Sequence, residues 1–165
     1  MKMLYVIRHA KSSWDSPLLN DFDRPLNERG ERDAPRMGKR LKEKKLIADL
    51  FLSSPAKRAL TTAEKIADIL NYPLEKIKTD RDLFHAEDEE ILRIVKHVSD
   101  KHAVVLIFGH NPGLTDFTNR LTDTNIDNIP TCGIVACNLN IDSWEQLNWG
   151  KGKVEFFDYP KRKTE

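Results

Sequence analysis

The sequence predicts an α/β fold, a three-layer α/β/α sandwich with helices on both faces of a mostly parallel central sheet. Three observations carry that prediction. Short apolar runs of strand length, such as Met3–Ile7 and Ala103–Phe108, alternate with stretches whose apolar residues recur at helical spacing. Three of these runs lead into polar residues of one chemical character, Arg8-His9, Ser53-Ser54 and Gly109-His110. Open parallel sheets hold their ligands beyond such strand ends. The last two strand-like runs, Ile134–Ile141 and Val154–Tyr159, have no helix between them, which sets one antiparallel strand at an edge.

Met3–Ile7 reads as a buried first strand. A polar stretch with Pro17 and Pro25 follows. Asn27 is a good N-cap for a helix with Ala34, Met37 and Leu41 on one face. Pro35 lies too deep for the first turn of that helix, so it predicts a kink or a later start. Asp49–Ser53 is the second strand. Ser54-Pro55 then predicts an N-cap and a proline at the first helical position, with Ala59, Ala63, Ile66, Ala67 and Leu70 facing inward. Pro73 closes that unit, Lys76–Thr79 is a weak third strand, and Asp82–Asp88 is a loop. Ile91, Ile94, Val95 and Val98 mark a helix starting near Asp88. After the strong strand Ala103–Phe108, Asn111 and Pro112 read as cap and first residue of a helix carrying Leu114, Phe117 and Leu121. Residues 1–160 are expected to form one domain and 161–165 a charged tail.

Composition excludes several classes. Lys and Arg number 27 against 26 Asp and Glu, a formal net charge of +1. That balance gives no reason to expect nucleic acid or an anionic membrane as partner. The longest apolar runs fall far short of the roughly 20 residues of a membrane-spanning helix. The first is also too short for a signal-peptide core, so the expected compartment is the cytoplasm. Cys132 and Cys137 have an odd spacing that points them to opposite faces of a strand, and no disulfide between them is expected. No Cys/His cluster suggests a metal, and no cofactor is expected.

With parallel strands, Arg8, His9, Arg58 and His110 meet at one sheet edge, and helices beginning at Ser54 and Asn111 point their N-termini toward it. That set suits phosphate. The arginine fork matches phosphate oxygens, and helix N-termini add N–H donors. A neutral imidazole can attack phosphorus and carry the phosphoryl group covalently. Histidine's ordinary pKa of about 6.5 leaves much of it neutral at cell pH. A second histidine can donate a hydrogen bond to the phosphoryl oxygens as charge builds.

Arg8-His9-Ala10-Lys11-Ser12, Ser53-Ser54-Pro55-Ala56-Lys57-Arg58-Ala59 and Gly109-His110-Asn111 resemble the three signatures of the histidine phosphatase superfamily, also called phosphoglycerate-mutase-like. The segment Asp23-Arg24-Pro25-Leu26-Asn27-Glu28-Arg29-Gly30 resembles its SixA branch, the phosphohistidine phosphatases. The likeness spans about residues 3 to 122. It implies a phosphoglycerate-mutase-like fold with His9 as nucleophile, Arg8 and Arg58 as phosphate ligands and His110 as the second histidine. Arg24 is a further phosphate ligand by the same resemblance, with an equal claim to a surface pair with Asp21 or Asp23. The superfamily usually has glycine where this chain has Ala10, a departure the SixA-like branch tolerates.

The resemblance leaves the general acid open. Superfamily mutases and many phosphatases use a carboxylate after the third strand, and here that region offers Glu87 and Asp88, with His85 in the same loop. Either carboxylate has an alternative role as a helix cap. SixA-like proteins lack a dedicated acid, which fits a phosphohistidine substrate, because imidazole leaves more readily than an alkoxide.

The expected function is metal-independent phosphate removal through a phosphohistidine on His9, from phosphohistidine on a protein by the SixA-like resemblance. The alternatives are a phosphatase for a small phosphomonoester, a phosphate-binding module without turnover, and a metal hydrolase. Elsewhere the plain readings are preferred. His97 and His102 are structural or exposed, Lys39–Lys45 is a solvated face, and Lys161-Arg162-Lys163 is a solvated tail. Trp144 and Trp149 are packing residues. Trp14 packs the long first loop onto the domain, its alternative being a pocket wall.

Overall fold

A computed structural model describes residues 1–162; the last three residues of the expected tail lie outside the described residues. Its regular elements are β1 (Lys2–Arg8), α1 (Glu28–Glu43), β2 (Leu50–Ser53), α2 (Lys57–Ile69), β3 (Lys78–Thr79), α3 (Asp88–Lys96), β4 (Val104–Gly109), α4 (Gly113–Thr122), β5 (Ile134–Leu139) and β6 (Gly152–Asp158). The strands form one sheet in the order β3-β2-β4-β1-β5-β6. β1, β2, β3 and β4 are parallel. The antiparallel pairing is built by the last two strands, β5 against β1 and β6 against β5.

Strand alternation sorts the core into two layers. On β4, Val105 and Ile107 face a cluster with Ile91, Val95, Leu114, Phe117 and Leu121 from α3 and α4. Leu106 and Phe108 face the opposite cluster, with Ala34, Met37 and Leu41 of α1 and Ala63 and Ile66 of α2. Fully burying each large apolar side chain contributes roughly 1.5–3 kcal/mol, so both layers are held firmly against the sheet. The free cysteines follow the same division. Cys137 on β5 joins the α3/α4 layer, and Cys132, in the turn before β5, joins the α1/α2 layer.

Several boundaries differ from expectation for local reasons. Asn27 does cap α1, its side chain accepting from the Gly30 N–H at 2.9 Å. α1 nevertheless runs through Pro35 without a later start, because Ala34, Met37 and Leu41 bury fully on either side of it. Pro35 can supply no N–H to the Glu31 carbonyl, a loss on the half-buried side of the helix. Ser54 is not the N-cap of α2. The helix starts at Lys57 with Ala56 in the cap position, because the Ser54 hydroxyl is engaged by a histidine described below. α4 starts at Gly113 rather than Pro112, after a cis Asn111–Pro112 bond, yet Asn111 still caps it by accepting from Thr115 N–H at 3.1 Å. β3 has only two residues, because Leu74–Lys76 winds into a 3-10 turn.

Gly113 fixes α4 against the loop before α3. A Cβ there would overlap the Ala86 carbonyl oxygen. Gly113→Ala is therefore expected to destabilise the fold by about 1–3 kcal/mol, read as a lower urea midpoint. A midpoint within experimental error of wild type would show that the loop yields freely.

Candidate active site

The parallel register brings three strand ends to one level, with Arg8 paired to Gly109 and Ser53 to Phe108. His9 follows β1 directly. Its N–H donates to the Gly109 carbonyl at 3.1 Å, and its own carbonyl accepts from Cys132 N–H at 2.9 Å. The next residue, Ala10, donates its N–H to Thr62 Oγ1 at 2.9 Å, and that hydroxyl donates to the Arg58 carbonyl at 2.7 Å. One buried threonine thus links the loop carrying His9 to the helix carrying Arg58.

The imidazoles of His9 and His110 lie side by side, ring centres 5.3 Å apart. His9 Nδ1 is 2.7 Å from the Ala10 carbonyl oxygen, which can only accept. Nδ1 therefore carries the proton, and Nε2 holds the lone pair. His110 Nε2 is 2.8 Å from Ser54 Oγ. That oxygen already accepts from the Ala56 N–H and can still give its own proton to Nε2. The His110 proton then sits on Nδ1, a buried atom with no protein partner.

Arg8 donates from Nη1 to the Ile129 carbonyl at 3.0 Å, and Arg58 donates from Nη1 and Nη2 to the carbonyl and carboxylate of Asp21. The Nε atoms of both arginines are buried and unpartnered. Cationic groups with buried N–H donors that lack acceptors are costly, and an oxyanion between them would supply what they lack.

Burial, then the Arg58, Arg8 and Arg24 charges, push His9 down to about 3 against the pull of the Ala10 carbonyl. His110 is also pushed down to about 3, by burial first and then by His9, Arg58 and His85. Burial and the neighbouring Arg58 lower Arg8 as well. Both imidazoles are therefore neutral at any ordinary pH. Below about pH 6.5 the unfolded chain binds protons that the native site refuses. Stability is thus complete above that value and falls as the pH drops toward 3. The slope approaches about 1.4 kcal/mol per pH unit for each histidine. Between about pH 7 and about pH 5, the urea midpoint of wild type should fall well beyond that of a His9→Asn/His110→Asn double variant. Equal falls would show that other groups set the acid limb.

Arg24 stands at the border of this cluster. Its guanidinium donates to Ser12 Oγ at 2.7 Å and to Asp21 Oδ1 at 3.0 Å. It also lies 3.5 Å from the centre of the Trp14 ring. Trp14 is 73% exposed, so it packs on Arg24 rather than anchoring the loop in the core. His85 and Phe84 overhang the pocket from the other side, with the Phe84 ring 5.5 Å from His110. A cleft of about 410 Å³ continues outward, lined by His85, Glu87, Asp88, His110, Asn111 and Asp116. Glu87 is exposed at the cap position of α3 without a side-chain bond. Asp88 accepts from Glu89 N–H and pairs with Arg120 at 3.1 Å.

A sequence profile of the histidine phosphatase superfamily (branch 1) matches residues 4–87. The chain belongs to the histidine phosphatase superfamily. It is a phosphatase of that class, built on the phosphoglycerate-mutase-like fold. An uncharacterized chloroplastic protein of Arabidopsis thaliana is 28% identical over 153 residues, covering 88% of this chain and 70% of its own length. A SixA structure from Agrobacterium tumefaciens superposes with a TM-score of 0.83 at 24% identity, over 96% of this chain and 98% of that one. The protein histidine phosphatase SixA complexed with tungstate superposes with a TM-score of 0.81 at 23% identity, over 96% and 97%. At those identities the structural likeness speaks for the fold.

Within this histidine phosphatase site, sequence reading passed over three contributors. Asp21 stood only as a surface partner for Arg24, although it binds Arg58 as well. Ser54 reads as a helix cap from the sequence, whereas its hydroxyl meets both the Ala56 N–H and His110 Nε2. Thr62 had no assigned role. None leaves a local signal, since each acts on a residue far away in sequence or on a neighbouring loop.

Proposed function

We propose that the protein removes phosphate from phosphohistidine on proteins, through a covalent phosphohistidine on His9. The observation that carries this reading is the neutral His9, with Nδ1 held by a carbonyl and Nε2 left as a lone pair beside Arg8, Arg58 and His110. His9 Nε2 attacks phosphorus, the bond from phosphorus to the leaving atom breaks, and its electron pair goes to the leaving group. Arg8 and Arg58 neutralise the phosphoryl oxygens, and His110 donates from Nδ1 to one of them. Water then attacks the phosphorus, the electron pair of the P–N bond returns to Nε2, and dihydrogen phosphate leaves. Arg24, beside Asp21, is the fourth phosphate ligand in this reading.

The leaving group decides the substrate. A departing alkoxide needs a proton from a positioned acid. Asp88 is paired with Arg120, and Glu87 sits exposed on the rim of the cleft. A phosphohistidine protonated on its free ring nitrogen needs no acid, because breaking its P–N bond releases neutral imidazole. The shared fold with SixA structures supports the same choice.

Single-turnover hydrolysis of a phosphohistidine-bearing protein, beside para-nitrophenyl phosphate and phosphoserine with EDTA present, tests this reading. Fast loss of phosphohistidine and negligible action on phosphoserine is the expected result. Fast ester turnover without phosphohistidine turnover would make the protein a small-molecule phosphatase. Loss of activity in EDTA would point to a metal hydrolase, and binding of phosphate without any turnover to a binding module.

A further inference from the structure

We propose that Asp21 is the specificity-determining carboxylate of this site, accepting a hydrogen bond from the ring N–H of a leaving imidazole and so selecting phosphohistidine over phosphate esters. The inference rests on the function proposed above and names the residue that would choose its substrate.

Asp21 opens a 3-10 turn, Asp21–Asp23, fixed by Asn20, whose side chain accepts from Asp23 N–H at 3.0 Å. The Asp21 carbonyl accepts from Arg58 Nη1 at 2.5 Å, and Oδ2 accepts from Arg58 Nη2 at 3.1 Å. The carboxylate is thus held within contact of a phosphate-binding arginine, yet its side chain remains 38% exposed at the lip. For a site that merely binds phosphate this is a poor arrangement. A carboxylate there repels the phosphate dianion and occupies an arginine. It becomes useful when the group attached to phosphorus is itself cationic and bears an N–H.

The structure already places an imidazole on this carboxylate. His85 Nε2 lies 3.3 Å from Asp21 Oδ2. Its ring packs on Phe84 with centres 3.9 Å apart and stands 6.2 Å from the His110 ring. The His85 side chain is 63% exposed, and its backbone adopts a left-handed φ of 61°, uncommon for a residue other than glycine. Carboxylate and aromatic ring together already hold one imidazole beside a phosphate-binding arginine, and a substrate imidazole would take the place His85 holds.

The reaction balances with this contact in place. Phosphohistidine protonated on its second nitrogen offers that N–H to Asp21. His9 Nε2 forms its bond to phosphorus as the substrate P–N bond breaks. The electron pair passes to the substrate nitrogen, and the imidazolium leaves as neutral imidazole with its N–H intact. Asp21 gains and loses no proton. Burial alone would raise its carboxyl, but the Arg58 and Arg24 charges and bonds outweigh that and keep it below the usual range, hence ionised throughout.

The test compares kcat/KM for phosphoimidazole and para-nitrophenyl phosphate, two substrates of comparable leaving ability of which only the first offers an N–H. In Asp21→Asn the preference for phosphoimidazole should fall by about 10-fold or more, the scale of a charge-assisted hydrogen bond. Inhibition by inorganic phosphate, which reports an intact arginine site, should stay equal or tighten. An equal fall on both substrates would reduce Asp21 to a holder of Arg58 and overturn the proposal. Should the variant fold poorly, wild type alone decides. Phosphorylated 1-methylimidazole, which has the cation but no N–H, should be turned over about 10-fold less efficiently than phosphoimidazole, and equal rates would overturn the proposal. Wild type acting on the ester but not on phosphoimidazole would instead refute the function on which the inference rests.

Discussion

His9→Ala is expected to abolish turnover, lowering kcat by at least about 10⁴-fold, and to leave no phosphate trapped on the protein after acid-free quenching. The loss should be far larger than for any other single change in the site, because no other group can form the covalent bond. His110 has the same neutral charge state, but Ser54 holds its Nε2, and its ring lies 5.3 Å from that of His9. The variant should fold normally, since the backbone bonds of residue 9 to Gly109 and Cys132 do not involve the side chain. Radiolabelled substrate, rapid mixing and gel analysis under alkaline conditions would check this. Label still trapped on His9→Ala would move the nucleophile elsewhere.

Arg58→Met should separate activity from stability. kcat/KM is expected to fall about 10²–10³-fold, because a buried donor fork aimed at developing charge is lost. The unfolding midpoint should stay within about 1 kcal/mol of wild type, since an apolar side chain of similar volume can replace a buried ion at little net cost. The balance is specific to this residue. Arg58 is only 3% exposed, its Nε lacks a partner, and burial lowers its pKa against the attraction of Asp21. Asp21, left behind, still has Arg24 and water. Phosphate at about 100 times its Kd should stabilise wild type by about 2.7 kcal/mol and the variant by much less. A variant that melts far below wild type would show that Arg58 is structural first.

The parts of this site legible in the sequence are those fixed by chain direction. Arg8-His9 and Gly109-His110 follow strands that are nearly all apolar, so parallel pairing alone brings them to one edge. Arg58 is legible because it lies in the first turn of the helix after Ser53-Ser54. The hidden parts depend on how loops return. Asp21 reaches Arg58 across 37 positions in the chain, through a three-residue turn, Asp21-Phe22-Asp23, too short to show a period. Ser54 looked like a cap because serine before proline usually is one, and only the position of His110 redirects it. Pro35 argues for a kink in α1 or a later start, and the buried face of Ala34, Met37 and Leu41 keeps the start at Glu28. Trp14 reads from the sequence as packing the first loop onto the domain, and it does so on the Arg24 guanidinium while the residue stays largely exposed.

The backbone around His9 is bonded to β4 on one side, to the turn before β5 on the other, and through Thr62 to α2. The turn carrying Asp21 and the loop carrying His85 meet the site by side-chain contacts at its lip. On the proposed mechanism, bond-making and substrate choice reside in separate pieces of chain. Exchange of the lip segments between relatives could change which phosphoryl donor is accepted without retuning the nucleophile. Amide exchange would follow the same line, with His9 and Ala10 protected to near global unfolding and residues 14–22 opening long before them.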